Sequence, residues 1–406
     1  MTTTISPTLE QIQQVEQAHV VQTYKRQPVA FVRGEGAYLF DTEGTRYLDF
    51  VSGIGVASLG HGHAGLADAL ASQARELAHT SNLYFHPLQG ALAKRLAAHA
   101  GLSRAFLCNS GTEAVEGCLK FARRYWHAQG GAGRTEFVAF TRSFAGRTMG
   151  SLSVTWDEHY RAPFQPLVPG VTFVEAGDAE AIRRAITPRT AAVIVEPIQG
   201  EGGINPLPAA AADAISQACR ETGALVIADE VQSGSGRTGD MFASAAYGLQ
   251  PDLMSVGKAI GGGMPVGAVL LSERVAQAVQ FGDHGTTYGG NLLACRAALY
   301  VLDQLELGLL AQIRRSGQRL SEGFNRLAAR HAAIQEVRGK GVIWGLALDR
   351  DASPVVPAAL KRGLLVNRTA ERVIRVLPPY IVSEHDIDQG IELLDAALAD
   401  GLGGQA

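Results

Sequence analysis

From His61 onward the sequence alternates short apolar runs with longer amphipathic stretches, and few architectures accommodate that order. The runs are Ala105 to Cys108, Phe137 to Phe140, Ala191 to Glu196, Ala224 to Asp229, Asp252 to Val256 and Val266 to Leu271. A strand without a polar face must be covered on both sides, and helices between strands supply that cover. The pattern therefore predicts an α/β fold with a large, mostly parallel sheet. After about Asn291 the texture changes: a long helical stretch leads to strand candidates Val342 to Leu348, Leu364 to Asn367 and Ile374 to Leu377. A closing helix follows, with Ser383 as cap, Asp386 three residues on, Ile387, Ile391, Leu394 and Leu398 along one face, and Gly401 as a stop. Before His61 lie two strand-like runs, Ala37 to Asp41 and Tyr47 to Phe50, joined through Glu43 and Gly44 as in a hairpin. These are too little to fold alone. The expected division is an N-terminal segment 1–60 packing with a small domain, a large domain 61–291 and a smaller α+β domain 292–406.

Charge narrows the function classes. The chain has 36 basic and 39 acidic residues, a net of -3, which argues against a dedicated nucleic-acid binder or a polybasic membrane protein and favours a small-molecule partner. Its 47 glycines cluster without a period, as expected of backbone turned tightly around a ligand rather than of a collagen. The four cysteines, Cys108, Cys118, Cys219 and Cys295, form no CxxC pair and lie in apolar stretches, so buried free thiols are expected and no metal site. The polar start Met1 to Gln14 has no basic-then-apolar signal, and no apolar run reaches the roughly 18 residues that span a bilayer. The expectation is a cytoplasmic protein.

Ligands of open α/β sheets bind beyond the carboxyl ends of the strands, so the residues after each run carry the chemistry. After Cys108 come Asn109, Ser110, Gly111 and Thr112, then a helix. Free amides and small hydroxyls at a helix start suit a phosphate, although Ser110 with Glu113 three positions later also reads as a capping box. The run ending in Asp229 continues through Glu230, Val231 and Gln232 to Gly234, Gly236 and Gly239. This literally matches GxGxxG, but an acidic segment separates it from the strand and no clear amphipathic helix follows, so a glycine-rich turn is the better reading. No GxxxxGK[ST] phosphate loop occurs. Lys258 follows the run Asp252 to Gly257 in a region poor in charge, where burial depresses an amine's pKa and makes it nucleophilic. A phosphate anchor, a carboxylate and a buried amine are what a pyridoxal phosphate enzyme requires.

At these residues the sequence resembles the class III, fold type I aminotransferases that depend on pyridoxal 5'-phosphate. The resemblance is nearly full length. It runs from Phe31 Val32 Arg33 Gly34 Glu35 Gly36 to Arg375 Val376 Leu377 Pro378 Pro379, with Cys108 to Ala114, Val195 to Gly203, Asp229 to Gly239, Gly257 Lys258 and His284 to Asn291 between them in the family's order. The resemblance implies that Lys258 holds the cofactor aldehyde and then shuttles the proton. It implies that Asp229 pairs with the pyridine nitrogen, Gln232 contacts the ring oxygen and Phe144 stacks on the ring. Ser110, Gly111 and Thr112 belong to the phosphate loop, to which Thr287 of a neighbouring subunit adds a contact, so a homodimer with shared active sites is expected.

For substrates the resemblance implies an amino acid and 2-oxoglutarate. Arg375 takes the α-carboxylate of glutamate, Arg147 takes the far carboxylate, and Glu201 neutralises Arg375 while an ω-amine is bound and swings away for glutamate. Ile54 stands at a pocket position where ornithine aminotransferases have tyrosine. The stretch Ser81 to Phe85 is most similar to the acetylornithine-utilising members of the family, which serve arginine biosynthesis. Relatives acting on carrier-bound lysine-pathway amines, succinylornithine, ornithine or 4-aminobutyrate share nearly all of these motifs. Two departures stand out: Ala145 where the family has histidine, and Leu292 where proline usually follows Asn291. A decarboxylase or aminomutase on the same fold, an inactive cofactor carrier and a nucleotide-binding protein that is no transaminase are the rival readings. His61 and His63 read as a structural turn rather than a metal pair.

Overall fold

The computed structural model of the chain describes residues 7–403; the outermost ends of the expected first and last segments, 1–6 and 404–406, lie outside the described residues. After an N-terminal helix, Leu9–His19, come three strands: β1 (Phe31–Glu35), β2 (Tyr38–Asp41) and β3 (Arg46–Asp49). The expected hairpin is β2 with β3, and Asp41 makes its corner, because one carboxylate oxygen accepts from the backbone N–H of both Glu43 and Thr45.

The large sheet is built from β4 (Arg104–Cys108), β5 (Glu136–Phe140), β6 (Val171–Val174) and β7 (Thr190–Val195). After the two-residue strands β8 (Ile198–Gln199) and β9 (Asn205–Pro206), which pair with each other, it adds β10 (Leu225–Asp229), β11 (Leu253–Val256) and β12 (Gly267–Leu271). The spatial order is β4-β12-β11-β10-β7-β5-β6, and only β12 runs antiparallel to its neighbours. Strands β7, β10, β11 and β12 are buried along their whole length, which is why they read as apolar runs without alternation. Successive side chains still serve opposite cores. Phe137, Ala139, Leu225 and Ile227 pack with the helix Gly111–Ala128, whereas Val138, Phe140 and Val226 pack with Ile215 and Ala218 of the helix Ala209–Thr222.

Beyond the helices Leu292–Gln304 and Leu310–Arg330 come β13 (Ile334–Lys340), β14 (Ile343–Leu348), β15 (Leu364–Leu365), β16 (Asn367–Thr369) and β17 (Val373–Val376). The order β13-β14-β17-β16 makes one antiparallel sheet. The single strand expected over Leu364 to Asn367 is divided at Val366, because β15 turns away to lie parallel to β3, with Leu364 opposite Leu48. The first strands and this C-terminal region therefore share a sheet. Strands β1, β6 and β13, absent from the expected set, sit at sheet edges and are only partly buried, so none of them forms a long apolar run.

The closing helix spans Glu384–Leu402, with Ser383 and Asp386 forming the anticipated capping box and Ile387, Ile391, Leu394 and Leu398 buried. Gly401 does not stop it. The helix runs past this residue because a Cβ there would lie 2.9 Å from the Cα of Val355, so the glycine serves close packing rather than termination. No helix among the described residues is long and apolar enough to cross a membrane.

Candidate active site

Strands β10 and β11 are parallel neighbours whose register sets Asp229 opposite Ser255, and both ends point to the same cavity. Asp229 Oδ1 accepts from the Val231 N–H at 3.1 Å and from the Ser255 hydroxyl at 2.9 Å. Just past β11 Lys258 takes a left-handed backbone conformation, φ +48°, unusual for a residue with a Cβ. That turn aims its amine at Gln232, where Nζ donates to Oε1 at 2.7 Å. The preceding Gly257 packs against Gly111; a Cβ on Gly257 would lie 3.0 Å from Gly111 Cα, and one on Gly111 would lie 2.5 Å from Val231 Cγ1. Two bare backbones thus bring the start of the helix Gly111–Ala128 against the lysine strand. The cavity they enclose, about 210 Å³, is lined by Gly111, Thr112, Phe144, Ala145, Arg147, Glu201, Asp229, Gln232 and Lys258 among others.

Burial dominates its electrostatics. It pushes the Lys258 amine below its ordinary value; Glu201, Asp229 and Glu196 oppose this fall, and the nearby Arg375 charge adds to it. Burial likewise raises the Asp229 carboxyl, against the pull of Val231 N–H, the Ser255 hydroxyl and Lys258. Glu196, also lining the cavity, is raised by burial and then by the charge on Asp229. Its carboxylate accepts from Phe144 N–H at 3.1 Å and Gly200 N–H at 3.0 Å, tying two walls of the cavity together. The sequence reading quoted Glu196 within a motif but gave it no role; the signal was a carboxylate placed directly after a buried strand.

Two arginines serve the site in different states, Arg147 in the cavity lining and Arg375 behind the lining residue Glu201. Arg375, on β17 and 1% exposed, donates from Nη1 to Glu201 Oε1 at 2.6 Å and from Nε to Asn367 Oδ1 at 3.2 Å. Arg147 is exposed and its guanidinium makes no ion pair or side-chain hydrogen bond among the described residues; it lies over the ring of Tyr160, 3.6 Å from the centroid. Its backbone is fixed by Thr112, whose hydroxyl accepts from Arg147 N–H at 3.1 Å and bonds Ser151 Oγ at 2.7 Å.

Four of the anticipated site residues do not line this cavity within one chain: Arg375, which reaches it only through its pair with the lining residue Glu201, and Ser110, Thr287 and Ile54. The Ser110 hydroxyl is spent as helix cap, accepting from Glu113 N–H at 3.3 Å. The Glu113 carboxylate completes no capping box, because it turns instead to the backbone and side-chain nitrogens of Asn109. Thr287 and Ile54 are exposed and absent from the lining. Of the two turn histidines, His61 pairs with Asp49 at 2.8 Å and His63 caps the helix Ala64–Glu76.

The sequence profile of class-III aminotransferases matches residues 20–398. The chain belongs to the class-III aminotransferases. This aminotransferase is 44% identical to the acetylornithine aminotransferase of Aquifex aeolicus over 377 residues, 93% of this chain and 98% of that one. It is 45% identical to that of Archaeoglobus fulgidus over 384 residues, covering 93% and 98%. Among solved structures, the ornithine aminotransferase of Toxoplasma gondii superposes with a TM-score of 0.92 at 30% identity, covering 96% of this chain and 95% of that one. The N-acetylornithine aminotransferase of Stenotrophomonas maltophilia gives 0.83 at 31% identity, covering 97% and 100%.

Class-III aminotransferases work with pyridoxal phosphate, and the residues present fit it. Gln232 Nε2 is buried without a hydrogen-bond partner, a donor left for a ligand oxygen. The helix start at Gly111 and Thr112 lines the cavity, and the first N–H groups of a helix have no partner within it, as a phosphate needs. The anionic form of a buried carboxyl such as Asp229 is stabilised by a pyridinium. Ala145 is buried in the cavity wall. The four cysteines are buried and free.

Proposed function

We propose that this transaminase moves the terminal amino group of N-acetylornithine to 2-oxoglutarate, giving the semialdehyde and glutamate in two alternating half-reactions. The observation that carries the reading is the pair of unlike arginines beside one lysine: Arg375 masked by Glu201, and Arg147 with its guanidinium open. One pocket must accept an ω-amine, which has no carboxylate next to the reacting carbon, and then a glutamate-type acid, which has one. A cation that a carboxylate can cover and uncover meets both demands. The names borne by the relatives from Aquifex aeolicus and Archaeoglobus fulgidus support the acetylated donor.

In this reading Lys258 would hold the cofactor aldehyde, Asp229 the pyridine nitrogen, Gln232 the ring oxygen, Phe144 the ring face, and Gly111 and Thr112 the phosphate, with Thr287 of the partner subunit. The bound cofactor supplies a conjugated ring that draws electron density from the reacting carbon. Lys258 takes the proton from the substrate carbon, and burial, which lowers the amine's basicity, favours the neutral form that this role needs. Arg147 fixes the far carboxylate of each substrate, which sets the reacting carbon against Lys258. Gln232 keeps the amine aimed into the cavity.

The same proposal takes the molecule as a cytoplasmic homodimer divided at about residues 60 and 291. Supporting the dimer, Leu83, Tyr84, Phe85 and Tyr288 expose large apolar side chains, with Phe85 fully exposed, near the loop that carries Thr287. The test is the visible absorbance of the purified enzyme on separate addition of N-acetylornithine, ornithine and 4-aminobutyrate without any oxo acid. The expected result is fastest loss of the bound cofactor's visible band with N-acetylornithine and its return with 2-oxoglutarate. Faster loss with another amine refutes the named donor.

A further inference from the structure

We infer that Tyr160 is the positioning residue for Arg147, and so sets how tightly this site holds a substrate by its far carboxylate. The inference rests on the carboxylate role proposed above for Arg147. Tyr160 lies on the short helix Glu158–Arg161, whose start is held by Asp157, a carboxylate that accepts from the His159 N–H at 2.9 Å. The Arg147 guanidinium carbon sits 3.6 Å from the centroid of the Tyr160 ring and 5.5 Å from that of Phe144, and the two rings meet edge to face at 6.3 Å. A cation over a ring face is held by the ring's quadrupole, which consumes none of the guanidinium N–H donors. This distinguishes Arg147 from its exposed neighbour Arg142, which donates to Glu175. An arginine fixed by a carboxylate would present a cancelled charge to the substrate; one fixed by a ring keeps both its charge and its fork. Tyr160 contributes here through its ring, because its hydroxyl makes no hydrogen bond to the arginine. Phe144 lines both the main cavity and a second cavity of about 410 Å³ that Tyr160 also borders, so the aromatic pair stands between the two.

The test compares Tyr160→Phe, Tyr160→Leu and Tyr160→Met in the full-length, cofactor-loaded enzyme, each alone and combined with Arg147→Ala. The substrates are N-acetylornithine and 2-oxoglutarate. Either aliphatic variant suffices, so failure of one to fold leaves the test intact. We expect Tyr160→Phe to stay within about twofold of the parent, because the ring is retained. The aliphatic variants should raise KM about five- to tenfold for the carboxylate-bearing substrates while kcat changes little. In the Arg147→Ala background the same substitutions should add nothing further to KM. If they raise KM equally in both backgrounds, if kcat falls and KM does not, or if Tyr160→Phe is as harmful as Tyr160→Leu, the positioning role is wrong. If Arg147→Ala alone leaves KM unchanged, the carboxylate role of Arg147 is wrong and the positioning role falls with it, so the two failures are separable.

Discussion

Arg375 is 1% exposed and its Nη1 lies 2.6 Å from Glu201 Oε1, while the Glu201 side chain is 34% exposed, so the pair joins a fixed, buried cation to a carboxylate with a route to solvent. The asymmetry decides which partner can leave. Asn367 and the surrounding strands hold Arg375 in place, whereas Glu201 sits on a loop whose own carbonyl accepts from Thr369. Glu201→Gln should therefore lower KM for 2-oxoglutarate and raise it for N-acetylornithine, each by about three- to tenfold, discounted for the exposure of Glu201. Single-turnover rates of the two half-reactions check this, and an equal change in both would sink the switching role.

Lys258 supplies the only amine among the residues lining the main cavity. Lys258→Ala should reduce turnover at least 10²–10⁴-fold with cofactor added in excess, about the worth of a positioned acid–base group. It should also loosen the cofactor. Steady-state rates and the visible band after dialysis report the two effects separately, and retained turnover would exclude Lys258 as the proton carrier.

Glu196 gives stability a pH dependence of unusual sign. Its folded carboxyl is raised by burial, so the folded state keeps the proton to higher pH than the unfolded chain does. The stabilising contribution of the neutral form is complete below the ordinary carboxylate value of about 4 and is lost as pH rises through the higher, folded value. Glu196→Gln cannot titrate. Relative to this variant, the cofactor-free parent should lose roughly a degree or two of Tm between pH 5 and pH 8.5. Parallel curves from scanning calorimetry would show that the carboxyl stays charged throughout.

The thiols should be silent in the native protein. Burial pushes Cys108, Cys219 and Cys295 up to about 12, and Cys118 well above its ordinary value, so hardly any thiolate exists at neutral pH. An aromatic disulfide reagent should label no cysteine in buffer and all four in denaturant; rapid native labelling would mean that a core opens locally.

The central sheet was legible because its buried strands leave unbroken apolar runs, and the residues after those runs mark the site. Asp229 and Lys258 stand where that reasoning put them, one strand apart. Partnerships made across the fold were not legible. Nothing in the spacing between Tyr160 and Arg147 announces a ring under a guanidinium, and the carboxylate of Glu196 shows its role only when Phe144 and Gly200 come to meet it. Gly401 misled for the same reason: a glycine near a helix end suggests a stop until Val355 is seen against it.

The parallel pairing of Leu48 with Leu364 also fixes an order of events during synthesis. The hairpin of β2 and β3 leaves the ribosome early, but the strand that completes its sheet emerges only after the whole of the large sheet has been made. At about 5–20 residues per second the free edge of β3 waits on the order of tens of seconds, long enough for the large sheet to form first. A nascent chain stalled before Leu364 should therefore be cut by protease within its first fifty or so residues while its centre resists, and release of the full chain should abolish that cut.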